Sequence, residues 1–216
     1  MQTSLKKITI IGNSQKFIKI IKEANPNSSI DIIPWRKCFT FIQEQTRTSA
    51  PDLILVCGYD YESGVYQYEK YKLCNIVYPL QLINFLAGEN TKIIYIDTLL
   101  SSKKITFSRY VYAKNCLRNK LICANLNIKT IHFATITDEL GKINIYGDYF
   151  SKKIFSVLKK MNVVKINTFD SIRKRLIDDI FNPYLPSKEE VITIKPLLLR
   201  FKRPLFADRL LRLLYG

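Results

Sequence analysis

Two side chains four residues apart, Tyr110 and Lys114, form the pattern in this sequence with the clearest chemical potential. Residues at this spacing share one face of a helix, so the ammonium can lie beside the phenol. A neighbouring cation favours phenolate and lowers the phenol pKa from its ordinary value of about 10. A phenol tuned in this way can exchange a proton with a carbonyl or an alcohol near neutral pH. An amphipathic helix with an ordinary exposed lysine also produces this pattern in a chain with 13 Tyr.

The segments around this pair alternate between runs typical of buried strands and runs typical of helices. The strand runs are apolar and rich in β-branched residues, and they lie at 6–12, 30–35, 53–58, 92–98 and 128–136. Helical patterns fill the intervals, at 14–25, 37–48, 73–87 and 109–127, and a tyrosine-rich loop is expected at 59–71. We therefore predict an α/β protein with a doubly wound, Rossmann-like parallel sheet, whose ligands bind beyond the carboxyl ends of the strands.

A short, basic C-terminal helical appendage is predicted to follow this sheet. Residues 151–216 contain 15 Lys or Arg and 6 Asp or Glu, whereas 1–150 contain 19 and 12. We predict a Rossmann-like domain, of the type that binds dinucleotides, at 1–150 and a small basic substrate or tail region at 151–216. That region ends in an amphipathic helix with leucines on one face and cations on the other, which suits an anionic membrane surface. The same helix also suits docking on the domain, or on a second copy in a homodimer.

The composition of the chain limits the partners, the cellular compartment and the kinds of catalytic or metal site that we expect. The formal net charge of +16 favours partners rich in phosphate. Five cysteines without a C-x-x-C pair indicate a reducing compartment. His132 is the single histidine and has no partner at ligand spacing, so we expect neither a metal site nor a histidine-activated nucleophile. No apolar run reaches the roughly 18 residues of a membrane span, so we predict a cytoplasmic protein, peripheral at the inner membrane if its last helix binds lipid.

The order of motifs along the chain resembles that of the short-chain dehydrogenase/reductase superfamily, including its nucleotide-sugar epimerase, dehydratase and reductase branches. KITIIG resembles the first strand of that family, DLILVCG the strand beside the cofactor, and KIIYIDT the strand that ends in the active-site Ser or Thr. Asn75 matches the family's helix asparagine, and YVYAK contains its Tyr and Lys. The resemblance covers about residues 6–136, and Thr98 precedes Tyr110 by 12 residues, close to the family's compact spacing.

The resemblance implies a role for each of the four matching side chains. Thr98 would hydrogen-bond the substrate oxygen, and Tyr110 would exchange its proton with that oxygen. Lys114 would lower the phenol pKa and hold the nicotinamide ribose. Asn75 would position a water molecule in the proton relay.

The resemblance also implies a bound NADP or NAD at the first turn of the fold. Gly12 keeps the first glycine of the family's glycine-rich turn, and Asn13 and Ser14 supply hydrogen bonds to a phosphate. Gln15 and Ile18 stand where the family has its later glycines. This departure predicts crowding at the turn and a weakened or lost affinity for the dinucleotide.

Three further positions bear on the cofactor. Gly58 follows the third strand, where the lack of a Cβ allows the cofactor to approach closely, as it also allows an ordinary turn. Arg36 and Lys37 follow the second strand, where basic residues favour NADP over NAD. The same two residues also fit a basic turn that faces solvent.

These observations lead to one leading function and two alternatives. The leading function is an NAD(P)-dependent oxidoreductase or epimerase that acts on a nucleotide-linked sugar in surface-polysaccharide biosynthesis. The first alternative is a non-catalytic relative that has lost the cofactor site and binds a partner or ligand. The second is a nucleic-acid-binding protein, which the net charge favours, although the sequence contains no helix-turn-helix, zinc or RNA-recognition motif.

Overall fold

The computed structural model describes residues 5–44, 49–98, 109–141 and 166–181, together with residues 156 and 160. Five parallel strands form the main sheet in the spatial order β2-β1-β3-β4-β5. Their bounds are Lys7–Ile11 (β1), Ser29–Ile33 (β2), Leu53–Val56 (β3), Lys92–Thr98 (β4) and Ile128–Phe133 (β5). All five overlap the predicted strand runs, and the doubly wound α/β fold is confirmed.

Six α-helices accompany these strands in the described ranges. Their bounds are Gln15–Ala24 (α1), Cys38–Glu44 (α2), Tyr68–Lys72 (α3), Tyr78–Leu86 (α4), Arg109–Cys123 (α5) and Phe169–Phe181 (α6). A π-helical turn at Leu73–Val77 joins α3 to α4, and 3-10 turns lie at Trp35–Lys37 and Tyr61–Val65. The predicted tyrosine-rich loop is therefore partly helical. Thr135–Ile136 (β6) and Ile166–Asn167 (β7) pair as a second, two-stranded sheet.

Two apolar cores cover the two faces of the main sheet. Alternate strand residues point to opposite faces, so Ile10 and Leu55 belong to the core that also holds the apolar residues of α1. Ile11 and Val56 belong to the second core, together with apolar residues of α4 and α5. Because helices cover both faces, each inner strand reads as a continuous apolar run.

Helix α6 is an element that the sequence analysis did not predict. Its buried residues Phe169, Ile172, Leu176 and Ile180 belong to the same core as α1. Their spacing of three and four residues was the available signal, in a segment interpreted as a basic tail. The C-terminal helix predicted within the last residues of the chain lies outside the described ranges. The domain division at residue 150 stays a prediction.

The described ranges contain neither a candidate membrane-spanning helix nor a candidate metal site. No helix there is both long enough and apolar enough to cross a bilayer. No group of three or more His, Cys, Asp or Glu side chains is arranged there to hold a metal ion.

The order of the main sheet reverses between β1 and β3. The chain crosses from β1 to β2 on one side and then to β3 on the other. In open α/β sheets such a point leaves a crevice at the carboxyl ends of the two strands, where ligands bind. Ile11 pairs with both Ile33 and Val56, so Gly12, one residue after β1, and Gly58, two residues after β3, lie at the bottom of this crevice.

Candidate active site

Gly12 and Gly58 form the floor of the crevice and are in direct contact. Gly12 has a φ of +130°, which L side chains rarely adopt. A Cβ on Gly12 would lie 2.6 Å from the backbone nitrogen of Gly58, so a larger residue would have to displace backbone. The structure thus brings together the two glycines that the sequence analysis selected, and the floor that they form carries no side chain.

The N-terminus of α1 adjoins this floor and carries the residues predicted to bind phosphate. Ser14 is the N-cap residue, and its hydroxyl makes no capping hydrogen bond. Asn13 is exposed, and its Oδ1 accepts a hydrogen bond from Gln15 Nε2 at 3.0 Å. Ile18 packs into the core between α1 and the sheet. The first turn contains no acidic residue, so nothing on it offsets the positive end of the helix dipole.

The indole of Trp35 covers one part of the floor. A Cβ on Gly58 would lie 2.1 Å from Cε3 of Trp35, so the ring is packed directly against Gly58. Only 6% of Trp35 is exposed. The ring also lies 6.0 Å from Nζ of Lys114. Sequence reasoning missed this residue, because Trp35 follows the second strand and nothing in its local pattern predicts contact with Gly58.

Lys114 is buried at the carboxyl end of β4. Its Nζ donates a hydrogen bond to the backbone oxygen of Ile96 at 3.0 Å and lies 5.0 Å from the ring centre of Tyr95. Burial lowers the pKa of Lys114, while the charges of Asp97 and Cys57 act in the opposite direction. The side chain is therefore a desolvated ammonium held by a carbonyl, not the exposed lysine of an ordinary amphipathic helix.

Tyr110 lies in a cluster of three tyrosines. Its ring packs edge-on against Tyr59, with 4.8 Å between centres, and stacks on Tyr61 at 6.0 Å. Burial raises the pKa of Tyr110 well above 10, and Tyr61 and Asp97 raise it further. This direction is opposite to the one expected from a neighbouring ammonium. The physical reason is that desolvation of the phenolate dominates here, and the ammonium of Lys114 is bonded to a strand carbonyl.

A buried carboxylate organises the end of β4 next to Thr98. Asp97 Oδ1 accepts a hydrogen bond from the backbone N–H of Thr98 at 2.7 Å, and its Oδ2 lies 2.9 Å from Nη1 of Arg118. Nε2 of His132 lies 3.7 Å from the same carboxylate, consistent with a structural role for that histidine. Sequence reasoning missed Asp97 and Arg118. The available signal was Arg118 four residues after Lys114, on the same face of α5.

We expect Asp97→Ala to lower the free energy of unfolding by about 3 kcal/mol, because it removes the partner of a largely buried Arg118. The side chain of Asp97 is fully buried and that of Arg118 is 19% exposed. Denaturant unfolding followed by circular dichroism measures the effect. Asp31→Ala, at an exposed position on the edge strand β2, is the matched control and should change stability by less than about 0.5 kcal/mol. Equal losses for the two variants would contradict the structural role of Asp97.

Asn75 and Arg36 belong to a separate network around Asp60. Asn75 accepts a hydrogen bond from the backbone N–H of Asp60 at 2.9 Å and donates to Ser63 Oγ at 2.8 Å, so its amide already binds protein groups. Nη2 of Arg36 lies 2.7 Å from Asp60 Oδ1 and 2.8 Å from Glu62 Oε2. The hydrogen bonds to these two carboxylates raise the pKa of Arg36. The cation predicted to bind a 2′-phosphate therefore has two acidic partners.

The predicted site residues thus fall into three groups. Lys114 and Thr98 lie at the carboxyl end of β4, where Nζ of Lys114 donates to the oxygen of Ile96 and the N–H of Thr98 donates to Asp97. Tyr110 packs against Tyr59 and Tyr61, and the charge of Asp97 acts on the pKa of both Tyr110 and Lys114. Gly12 and Gly58 form the floor, with Asn13 and Ser14 beside it at the start of α1. Asn75 and Arg36 lie around Asp60, and Lys37 is exposed.

The order of the strands and their helical crossovers define the class of fold. It is a doubly wound α/β fold with the strand order 2-1-3-4-5, and solved structures of nucleotide-sugar reductases are similar to it, in line with the resemblance. No model of a protein family matches the chain, and neither does any curated protein.

Solved structures provide the particular proteins to which the chain is similar. One is dTDP-4-dehydrorhamnose reductase from Bacillus anthracis in complex with NADP, with a TM-score of 0.55 and 12% identity, covering 84% of this chain and 73% of that one. The corresponding reductase from Clostridium acetobutylicum has a TM-score of 0.50 and 16% identity, covering 81% and 70%. The Bordetella bronchiseptica enzyme WbmF in complex with NADH has a TM-score of 0.50 and 10% identity, covering 95% and 86%. At these identities the likeness is one of fold.

Proposed function

We propose that this chain is an NAD(P)-dependent oxidoreductase of the nucleotide-sugar reductase or epimerase kind. The observation that carries the proposal is the buried ammonium of Lys114 at the carboxyl end of β4, where Thr98 also lies, with Tyr110 one helical turn earlier on α5 and a two-glycine floor at the switch point of the sheet. Two structural neighbours bind NADP or NADH, and two are named as reductases of a nucleotide-linked sugar, which supports the proposed cofactor and substrate class.

Apart from Trp35, whose ring covers Gly58, the residues around the crevice fit a dinucleotide. The floor of Gly12 and Gly58 has no side chain, and the first turn of α1 carries no acidic group that would repel phosphate. Asn13 and Ser14 would hold the pyrophosphate there, and Lys114 the nicotinamide ribose. Arg36 and Lys37 would meet the 2′-phosphate of NADP. When bound, the nicotinamide ring gives or accepts a hydride.

The protein's own groups handle the proton. Because the pKa of Tyr110 lies well above 10, its phenol is protonated at neutral pH and can donate a proton to a carbonyl oxygen. The hydroxyl of Thr98 would hydrogen-bond the same oxygen. Lys114, one helical turn further along α5, would stabilise the phenolate that remains. The proposed role of Asn75 in the proton relay depends on an amide that already holds Asp60 and Ser63.

Calorimetric titration with NADP, NADPH, NAD and NADH tests the proposal. We expect binding of at least one of these dinucleotides, followed by consumption of the reduced form when a dTDP-4-dehydro sugar is added. If none of the four binds at millimolar concentration, the enzyme proposal fails, and the non-catalytic alternative replaces it.

The raised pKa of Tyr110 predicts opposite pH dependences for the two directions of reaction. Reduction of a carbonyl uses the protonated phenol, so its rate should stay level from neutral pH up to the phenol pKa. Oxidation of an alcohol uses the phenolate, whose fraction below the pKa rises about tenfold per pH unit. Initial rates in both directions between neutral pH and pH 9 measure this. An oxidation rate independent of pH would contradict the assignment of Tyr110 as the base.

Glu62→Gln should increase the preference for NADP over NAD. The variant removes the exposed carboxylate that Arg36 binds at 2.8 Å, so more of the guanidinium charge becomes available to a 2′-phosphate. One surface ion pair is worth up to about 1 kcal/mol, so we expect about a two- to fivefold change in the ratio of dissociation constants. Glu44→Gln, at an exposed position on α2, is the control. An unchanged ratio would show that Arg36 does not bind the phosphate.

The finer proposals concern the pathway and the surroundings of the enzyme. We infer a role in surface-polysaccharide biosynthesis from the proposed substrate class, and a cytoplasmic location from the reduced cysteines. Binding of the C-terminal helix to anionic lipid, and assembly as a homodimer, remain predictions. They depend largely on residues 182–216, which lie outside the described ranges.

A further inference from the structure

Trp35 occupies the place that the proposed function reserves for a cofactor. Its ring is packed against Gly58 and lies 6.0 Å from Nζ of Lys114, so two of the predicted cofactor contacts face the indole. Arg36, a third predicted contact, is the next residue along the chain. The indole therefore extends from the end of β2 across the end of β3 towards β4.

The position of this ring is not that of a fully satisfied core residue. Its Nε1 is buried and has no hydrogen-bond partner among the described residues. A buried N–H without a partner costs about 1–3 kcal/mol. In an indole, Nε1 and Cε3 lie on opposite sides of the bond shared by the two rings, and the ring atoms nearest to Gly58 do not include Nε1. The packed position of the ring is therefore destabilised by this unpaired N–H. A position in which Nε1 reaches a hydrogen-bond acceptor or water would remove that destabilisation.

The structure offers such a place beside the ring. A cavity of about 260 Å³ lies next to Trp35 and is lined mainly by aromatic and charged side chains, among them Arg36, Phe39, Asp60, Tyr66 and Tyr78. This volume exceeds the roughly 150 Å³ of an engineered cavity that admits benzene. Phe39, Tyr66 and Tyr78 supply aromatic surface on which an indole can pack, and Thr40, an exposed residue that also lines the cavity, supplies a hydroxyl.

We propose that Trp35 is a displaceable cap on the dinucleotide crevice, and that its ring leaves Gly58 for the neighbouring cavity when a dinucleotide binds. The inference rests on the proposed function, because it assumes that a dinucleotide uses this crevice. The capped form reduces the apparent affinity by the fraction of molecules in which the crevice is open. Trp35 therefore sets the affinity of the site without taking part in the chemistry.

Tryptophan fluorescence of the full chain tests this directly, because Trp35 is the only tryptophan. The probe is NADP, which in its oxidised form does not overlap with the emission. On titration we expect the emission to shift to longer wavelength and quenching by acrylamide to increase. Both changes should saturate at the dissociation constant found by calorimetry. We also expect Trp35→Ala to bind NADP about tenfold more tightly than the wild type.

Two further variants keep the test decisive. Trp35→Phe retains an apolar ring of smaller size if Trp35→Ala does not fold, and it should tighten binding by a smaller factor. Phe41→Ala loosens the same core, because Phe41 packs against it, and should leave the affinity for NADP within about twofold of the wild type. Circular dichroism establishes that each variant is folded.

The outcomes separate the cap from the enzyme. Binding by Trp35→Ala or Trp35→Phe but not by the wild type would support the cap and would mean that the wild type keeps the crevice closed, so that the enzyme proposal fails for the wild type. Binding by the wild type with unchanged emission, and equal affinity in the Trp35 variants, would overturn the cap and leave the proposed function intact. Weaker binding by these variants would also overturn it, since Trp35 would then be a stacking contact. Absence of binding in every variant would overturn the proposed function and, with it, the cap.

Discussion

Replacing Tyr110 with phenylalanine should lower kcat about 10²- to 10⁴-fold, the range that general acid–base catalysis contributes. The variant keeps the ring that packs on Tyr59 and Tyr61 and removes only the hydroxyl that would protonate the substrate. KM and the affinity for NADP should change little, because the hydroxyl acts on the reacting oxygen. Steady-state kinetics with a dTDP-4-dehydro sugar, together with cofactor titration, measure both quantities.

Tyr112→Phe is the matched control for this variant. Tyr112 lies on the same helix and is buried, and its hydroxyl is 3.1 Å from that of Tyr68. Loss of that hydrogen bond should cost about 1 kcal/mol of stability and leave kcat within a few fold of the wild type. Similar kcat values for Tyr110→Phe and the wild type would refute the proton-transfer role.

Gly12→Ala should destabilise the fold by roughly 2–6 kcal/mol. Two causes add: an L side chain at φ +130° is strained, and its Cβ would lie 2.6 Å from the nitrogen and 2.8 Å from the Cα of Gly58. These are backbone atoms of the segment after β3, so they move only if the sheet moves. Such a loss is a large share of a typical net stability of about 5–15 kcal/mol. Urea unfolding measured by circular dichroism gives the difference.

Gly141→Ala separates the two causes. Gly141 also has a positive φ, of +73°, but a Cβ there would meet no atom of the described residues within 4 Å. We expect this control to lose about 1–2 kcal/mol, the cost of the left-handed conformation alone. If Gly12→Ala loses no more than Gly141→Ala, then the close contact between Gly12 and Gly58 does not constrain the crevice floor.

The tyrosine cluster and the Trp35 cap point to one property of this site. Both place aromatic rings against the proposed reacting groups, of which Lys114 is buried and Tyr110 is half-buried. Exclusion of water raises the pKa of the phenol and lowers that of the ammonium. The pKa values that govern proton transfer in such a site change when a bound ligand displaces one of these rings. The fluorescence of Trp35 therefore reports displacement of the ring on ligand binding, and the kinetics of Tyr110→Phe report proton transfer in the same environment.

The sequence by itself determined the succession of strands and helices along the chain and which residues lie at the strand ends. The apolar runs and their helical intervals are local patterns, and the buried parallel sheet follows from them because both of its faces are covered. The places of Gly12, Gly58 and Thr98 at the ends of the predicted strand runs follow from the same patterns. The spacing of Tyr110 and Lys114 put them on one helix, and α5 is that helix. Helix α6 has an equally local signal, which the basic composition of its surroundings concealed.

Only the tertiary structure decided the pKa of Tyr110, the ion pairs of Arg36 and the position of Trp35 over Gly58. The pKa of Tyr110 rises because Tyr59 and Tyr61, some fifty residues earlier, bury it, and no local pattern encodes that contact. Arg36 is paired because the chain after β3 returns with two carboxylates, and Trp35 covers Gly58 for the same topological reason. Desolvation and pairing depend on which distant segments meet, whereas strands and helices depend on neighbours along the chain.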